Sequence, residues 1–287
     1  MCSSDLFTLW WLIPLCLEVV TKTEPSDGGK PKTEVTVIGF ANAFGSPYLI
    51  FWSIFLGLLY TTTQLTGQII LALAAIAVLA YLEVIDSVRD VAGLEAAFAS
   101  ATPSSVLDTN TLRPAGALTF AQITPLALLV LQIFYGTGHQ STISSIQWKT
   151  AFMLTATLKY PFSPILVAIN TFGPQFLLAL ATPLLALWNL PPLPQPAATS
   201  DAWLGTLRAS LGIMLYHATL LLSSAVCSAW LRRHLMVWKV FAPRFMNAAA
   251  SLIVVDLAIM VGASVGVARI SGRVTKLFAK VGSGPSQ

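Results

Sequence analysis

The sequence predicts an all-α fold, a polytopic transmembrane helical bundle of about six to seven spans. Three observations lead there. Of 287 residues, 55% are hydrophobic and only 10% are charged, whereas soluble domains carry roughly 25% charged residues to cover a water-facing surface. Mean hydropathy is +0.75. The apolar residues come in continuous runs of about 20, the length that crosses a bilayer as a helix, without the period-2 alternation of a membrane barrel.

Taken in order, the chain divides into residues 1–36, a short apolar or interfacial segment with a loop, and residues 37–287, the multi-span membrane domain. Leu6–Cys16 is apolar but is preceded by Asp5 and by no Lys or Arg, so it lacks the positive flank of a secretory signal. Trp10 and Trp11 suit the headgroup level, and the segment reads as the end of a span or as a piece lying at the interface. Thr21–Thr36 contains Pro25, Gly28, Gly29 and Pro31, keeps no periodicity and reads as a solvated loop. Val37–Tyr60 is long enough to cross, with a kink or break expected at Pro47 because proline removes a helical hydrogen bond. Thr66–Ile85 is the next span and ends among Glu83 and Asp86. In the polar segment Asp86–Gly116, Val88–Ser100 is expected as a short helix on the membrane surface, broken by Pro103 and Pro114.

Ala117–Tyr135 spans, with a second kink expected at Pro125. Phe134–Lys149 then concentrates glycines, hydroxyls, His139 and Gln140 at the mouth of that span. Such groups are costly to bury and easy to place at an interface, so this stretch is the best candidate for contact with something outside the protein. Trp148–Leu158 is too short to cross and reads as re-entrant or interfacial. Ser163–Trp188 crosses and carries Asn170 and Gln175, and the Pro-rich Asn189–Trp203 follows as a loop. Leu204–Leu231 crosses with Arg208 near its start and His217 inside. The basic, aromatic loop Arg232–Arg244 leads to the last span, Ala248–Ile270, which contains Asp256. That loop and the basic tail Arg273–Lys280 flank a single span, so the positive-inside comparison leaves orientation open.

The net charge of +4 comes from juxtamembrane Arg and Lys, a pattern that fits a bilayer as partner. No nucleic-acid signature accompanies it. Cys2, Cys16 and Cys227 are scattered, which indicates neither a disulfide framework nor a zinc site.

A carboxylate as deep as Asp256 costs about 2.5–3.5 kcal/mol on insertion scales, so it must be protonated, paired or in a wet cavity. Arg208 and His217 on the neighbouring span are the candidate partners; the other reading of Asp256 and His217 is an intramembrane substrate or proton site. Gly262 and Gly266 form a GxxxG step suited to close helix packing. His139 suits capping of a helix end or a bridge to a phospholipid headgroup. A metal would need further ligands beside it, and His217 and His234 lie on other elements, so no metal is expected. No nucleophile with a base and an orienting group can be read, and no catalytic residue is assigned.

Three stretches carry a family resemblance. Tyr135-Gly136-Thr137-Gly138-His139-Gln140, continuing through Ile146-Gln147-Trp148-Lys149-Thr150-Ala151-Phe152, resembles the polar segment in the membrane portion of the GPI ethanolamine phosphate transferases. Ala168–Gly173 and Ala181–Leu185 follow in the expected order. Leu231–Phe245, with Arg232-Arg233-His234 and Trp238-Lys239, is similar to the C-terminal signature of the third enzyme, the PIG-O type, which acts on the third mannose.

The resemblance implies a multi-pass endoplasmic-reticulum protein of GPI-anchor biosynthesis. Enzymes of this kind move phosphoethanolamine from phosphatidylethanolamine to a mannose of the GPI precursor. It also implies a lumenal, alkaline-phosphatase-like domain that holds the nucleophile and a divalent metal, zinc. No soluble stretch here is long enough for that domain, so the chain is expected to be the membrane part of a larger enzyme, non-catalytic by itself and without a cofactor of its own. A small membrane subunit of the PIG-F type is the implied protein partner. His139, Gln140, Asn170 and Gln175 are expected to form a vestibule that helps to hold a lipid-linked substrate. Two other readings stand beside this one. The first is a transporter or flippase-like protein using Asp256 and His217 as a polar path, although no internal repeat is seen. The second is a structural subunit that binds partners through Gly262 and Gly266.

Overall fold

The computed structural model describes residues 18–24, 32–38, 42, 44–100, 118–140, 146–153, 155–189, 197–235, 237–269, 272–273 and 276. Expectations for Leu6–Cys16, for the breaks at Pro103 and Pro114, for residues 190–196 of the Pro-rich loop and for most of the tail after Arg273 lie outside the described residues; the end of that expected loop, Ala197 to Trp203, is helical and opens the helix Ala197–Trp230.

The described chain opens on two strands, β1 (Glu18–Glu24) and β2 (Lys32–Ile38), paired antiparallel. Of the stretch expected as a solvated loop, Thr21–Glu24 and Lys32–Thr36 are strand, and the residues between them lie outside the described ones. The register sets Val19 opposite Val37, Thr21 opposite Val35 and Thr23 opposite Thr33, and on the alternate positions Lys22 opposite Glu34 and Glu24 opposite Lys32. Each strand read alone mixes valine, threonine and charge, and the complementarity appears only when the two are aligned.

Seven helices follow: α1 (Gly45–Thr62), α2 (Leu65–Ser100), α3 (Phe120–Gly136), α4 (Phe162–Ala181), the single turn α5 (Leu184–Leu187), α6 (Ala197–Trp230) and α7 (Ala242–Val261). A 3-10 turn, Trp148–Phe152, lies between α3 and α4, and π-helical turns Val237–Phe241 and Gly262–Val267 extend α7 at both ends. Four helical stretches are long and apolar enough to cross a membrane: Leu65–Ala92, Phe162–Leu187, Trp203–Trp230 and Val237–Val267, with the shorter apolar helix Phe120–Gly136 beside them. The all-α membrane bundle therefore holds, with fewer full-length spans among the described residues than the six to seven expected.

Proline position explains several boundaries. Pro47 falls in the first turn of α1, where its missing N–H has no helical acceptor to lose, so the helix starts there instead of kinking. Val37 and Ile38, the first residues of the expected span, belong to β2. Pro243 likewise sits in the first turn of α7, which begins inside the expected basic loop. Between Leu65 and Ser100 no proline occurs, and the separate surface helix expected at Val88–Ser100 is continuous with α2. Pro183 denies the Ala179 carbonyl its usual donor; the Thr182 hydroxyl and backbone N–H supply it instead, and the span steps from α4 into α5.

Helix α4 is the axis of the bundle. Half of its most apolar window is buried, against 22–33% for the other three spans. It packs on α1, α3, α7 and the 3-10 turn. On the α1 side, Trp52 Nε1 donates to the Leu177 carbonyl at 2.8 Å and Tyr48 Oη to the Leu180 carbonyl at 2.9 Å. The Tyr48 ring also lies on Gly262 and Gly266, where an added Cβ would fall 2.7 Å and 2.3 Å from its atoms. The GxxxG step is thus filled by one buried tyrosine. Ile54, Ile69, Leu73, Ile76, Leu222 and Met260 point outward from the bundle, an apolar exterior that suits lipid and would be untenable in water.

Candidate functional site

The Phe134–Lys149 stretch does two different jobs. Helix α3 ends at Gly136, and Gly138 takes φ 89°, a left-handed conformation that glycine adopts without strain. The chain turns inward there, and His139 is only 2% exposed. Its ring stacks on Phe134 with centroids 5.3 Å apart. Nε2 lies 3.0 Å from Asn170 Oδ1, and Nδ1 lies 3.0 Å from Thr137 Oγ1. Asn170, 1% exposed, donates through Nδ2 to the Thr62 carbonyl at 2.8 Å.

That last bond fixes the histidine chemistry. Because the Asn170 amide must present its oxygen to the ring, Nε2 carries the proton and Nδ1 is the bare nitrogen, facing a Thr137 hydroxyl whose single hydrogen it shares with the Ile133 carbonyl at 2.8 Å. Burial pushes the His139 pKa below its ordinary value, while the Asn170 hydrogen bond pulls the other way. The group is therefore a neutral imidazole, bolted between the end of α3, the middle of α4 and the end of α1. Gln147 closes the turn by donating to the Thr137 carbonyl at 2.8 Å.

Two clefts flank this framework. The first is an apolar groove of about 740 Å³ between the 3-10 turn, α4 and α7. Trp148, Phe152, Val167, Ala168, Phe172 and Met246 form most of its wall, with Gln140, Ser163, Thr171 and Asn247 as its polar members. The second, of about 500 Å³, lies between α3, α6 and α7 and reaches Gln175. His217, Ser224, Arg244, Asn247 and Ser251 line it among apolar residues. Asn247 borders both.

The four vestibule residues expected from the sequence are thus divided. His139 and Asn170 are bonded to each other, Gln140 borders the apolar groove, and Gln175 faces the second cleft with His217. Gln175 and His217 are each 3% exposed, and Gln175 Oε1 and His217 Nε2 have no hydrogen-bond partner within the described residues. Asp256 Oδ1 is also buried without a protein partner. Oδ1 is therefore bonded to neither His217 nor Arg208, its candidate partners.

Sequence reasoning missed Arg244, Asn247, Ser251 and Ser224 as cleft residues. A signal existed: Asn247 and Ser251 are four residues apart, and His217 and Ser224 seven apart, so each pair shares a helix face. Serine and asparagine inside otherwise apolar spans do not stand out when each span is read singly. Among the described residues, no group of three His, Cys, Asp or Glu side chains could hold a metal. The donors present do not fit zinc, and no step is drawn through it.

The family model described as GPI ethanolamine phosphate transferase membrane region matches residues 103–273. The chain is 34% identical over 270 residues to GPI ethanolamine phosphate transferase 3 of Saccharomyces cerevisiae, an alignment covering 93% of this chain and 23% of that protein. Against the protein of the same name from Eremothecium gossypii it is 32% identical over 268 residues, again 93% of this chain and 23% of the relative. The human GPI ethanolamine phosphate transferase 3, catalytic subunit, is 30% identical over 191 residues, covering 53% of this chain and 17% of that protein. The chain thus spans about a quarter of the length of the Saccharomyces cerevisiae and Eremothecium gossypii relatives. No solved structure matches it.

Proposed function

From the premise that this chain belongs to the GPI ethanolamine phosphate transferase membrane-region family, we propose that it seats the lipid substrates of a phosphoethanolamine transfer reaction. The donor would be phosphatidylethanolamine and the acceptor the third mannose of the GPI precursor, in the endoplasmic-reticulum membrane. The chemistry would belong to a lumenal domain outside these residues, which is also where the zinc implied by the resemblance would sit. A small membrane subunit of the PIG-F type is the proposed protein partner.

The apolar groove along α4 is the observation that carries this reading. A groove of about 740 Å³ with Gln140, Ser163, Thr171 and Asn247 on a largely apolar wall has the makeup of a lipid seat: alkyl chains fill the apolar length and a few polar groups fix orientation. His139 and Asn170 serve it as positioning residues. They hold the end of α3 against α4, and so set the start of the segment whose 3-10 turn closes one side of the groove.

The test grafts this chain into the Saccharomyces cerevisiae relative in place of its matching region and follows GPI-anchor completion in cells. Ala168 is exposed in the groove, so Ala168→Trp fills the space without disturbing the core. Anchor completion should fall severalfold at unchanged protein level, and Gln140→Ala should lower it less. Normal completion in Ala168→Trp would reject the groove as a substrate seat.

A further inference from the structure

We propose that the second cleft is an aqueous crevice, open at the membrane face beside Arg244 and reaching Gln175 and His217 at the middle of the bilayer, and that it admits small anionic solutes ahead of cationic ones. The crevice stands whether or not the apolar groove seats a substrate.

Its depth follows from the helices that line it. The cleft takes in Tyr135 at the end of α3, Cys227 near the end of α6 and Arg244 in the first turn of α7. It therefore opens where these three helices meet one membrane face. Cys227 and Arg244 are exposed there. At the other end are Gln175 and His217, near the midpoints of the spans Phe162–Leu187 and Trp203–Trp230. His217 and Cys227 are ten positions apart, about 15 Å along a helix, or half of a hydrocarbon core of about 30 Å.

The walls demand water. Gln175 Oε1 and His217 Nε2 are buried and have no hydrogen-bond partner among the described residues, and hydrocarbon can satisfy neither. Gln175 Oε1 is an acceptor, whereas His217 Nε2 donates or accepts according to its tautomer. Water does both, so it serves either case. Ser223 and Ser224 give their hydroxyl hydrogens to the Leu220 and Leu221 carbonyls of their own helix, at 2.9 and 2.8 Å, which leaves oxygen lone pairs for further donors. Polar groups of α4, α6 and α7 thus line one path, as intramembrane polar side chains do around water. About 500 Å³ is room for on the order of ten waters at roughly 30 Å³ each.

Charge decides which solutes follow the water. Among the described residues no Asp or Glu lines the cleft, and Arg244 stands at its mouth. Arg232, Arg233 and Lys239 are exposed in the connection that joins α6 to α7 at the same face. The entrance is positive, which concentrates anions and repels cations.

The experiment uses the full chain in phosphatidylcholine nanodiscs and reads thiol modification by intact mass spectrometry. The probes are two charged methanethiosulfonates, the anionic sulfonatoethyl and the cationic trimethylammonioethyl reagent, each rate divided by its rate with a free thiol in solution. With Cys2 and Cys16 replaced by serine, the native Cys227 reports the mouth. With Cys227→Ser added, Ser251→Cys and His217→Cys report the inner end, and Leu222→Cys, exposed on the outer face, reports lipid. Both inner cysteines should react with the anionic reagent within about tenfold of Cys227, and Leu222→Cys at least about a hundredfold more slowly, because a charged reagent does not enter hydrocarbon. At the inner sites the anionic reagent should outpace the cationic one about fivefold, the effect in water of one positive charge about 8 Å away acting with opposite sign on each. Arg244→Gln should remove most of that advantage. An inner end as slow as Leu222→Cys overturns the crevice, and protection relieved by detergent would identify lipid as its occupant instead. Equal rates for the two reagents, or an anion advantage that Arg244→Gln leaves intact, overturns the anion preference. Ser251→Cys exchanges a single atom, so the inner end is still read if His217→Cys does not fold.

Discussion

Removing Asn170 should cost far more than removing any other single polar side chain near the groove. Its amide serves two buried partners at once, His139 Nε2 at 3.0 Å and the Thr62 carbonyl at 2.8 Å. Asn170→Leu keeps the volume but strands both, and each stranded buried group costs about 1–3 kcal/mol, so the total is about 2–6 kcal/mol. His139→Phe keeps the ring stacked on Phe134 and strands only the Asn170 oxygen, since the Thr137 hydroxyl keeps the Ile133 carbonyl at 2.8 Å, for about 1–3 kcal/mol. The double variant strands the Thr62 carbonyl but no longer pairs an unsatisfied histidine with an unsatisfied amide. It should therefore be milder than the sum of the single changes by about 1–2 kcal/mol. Unfolding of the purified chain in lipid nanodiscs, measured for the four proteins of the cycle, gives this coupling. Additive effects would refute the claim that the two side chains form one bolt.

Four further outcomes are expected. Gly266→Leu forces a Cβ into the space held by Tyr48, 2.3 Å from its Cε2, and should destabilise by about 1–3 kcal/mol in the same assay, with unchanged stability contradicting the packing. Tyr48→Phe loses the bond to the Leu180 carbonyl and should cost about 1 kcal/mol; no loss in unfolding free energy would count against that bond. Asp256→Asn should preserve or raise the folded yield, since Oδ1 has no protein partner, and a large loss of folded protein would mean the carboxylate is needed for assembly. Burial lowers the His139 pKa, so the unfolded state takes up a proton first. Stability from this group is present above the ordinary histidine pKa of about 6.5 and is lost as pH falls below it. The difference in unfolding temperature between the wild type and His139→Gln should therefore shrink from pH 7.5 to pH 5, and a constant difference would contradict the buried neutral ring.

The bundle was legible because a run of about 20 apolar residues has few alternatives in a chain with so little charge. The long interior of α2, the spans of α4 and α6 and the proline-bearing α3 all follow from that. What the runs hide is where proline starts a helix and where it breaks one. Pro47 and Pro243 sit in first turns, Pro125 lies inside α3 and Pro174 inside α4, and Pro183 ends α4. Only the neighbours in space decide among these. The strand pair was missed for a related reason, since its register appears only when the two segments are aligned in space.

The polar stretch around His139 stood out in the sequence by composition, but its division did not. His139 and Asn170 lie 31 residues apart and bond within the bundle, while Gln140, the next residue, borders the groove. Turn geometry at Gly138 decides which of two adjacent side chains points inward. The second cleft was dispersed over four helices, and its members look like ordinary minor constituents of apolar spans until α3, α4, α6 and α7 are assembled.

Lipid occupancy of the groove beside α4 tests the central claim most directly. The chain purified from membranes, treated with a photoactivatable phosphatidylethanolamine and digested, should carry label on peptides containing Val167, Ala168 and Met246. Ala168→Trp should remove most of that label while leaving labelling of the outer faces of α2 and α6 unchanged. Equal labelling of the groove in the wild type and in Ala168→Trp would mean that lipid does not enter it, and the seat assigned to the substrates would be wrong.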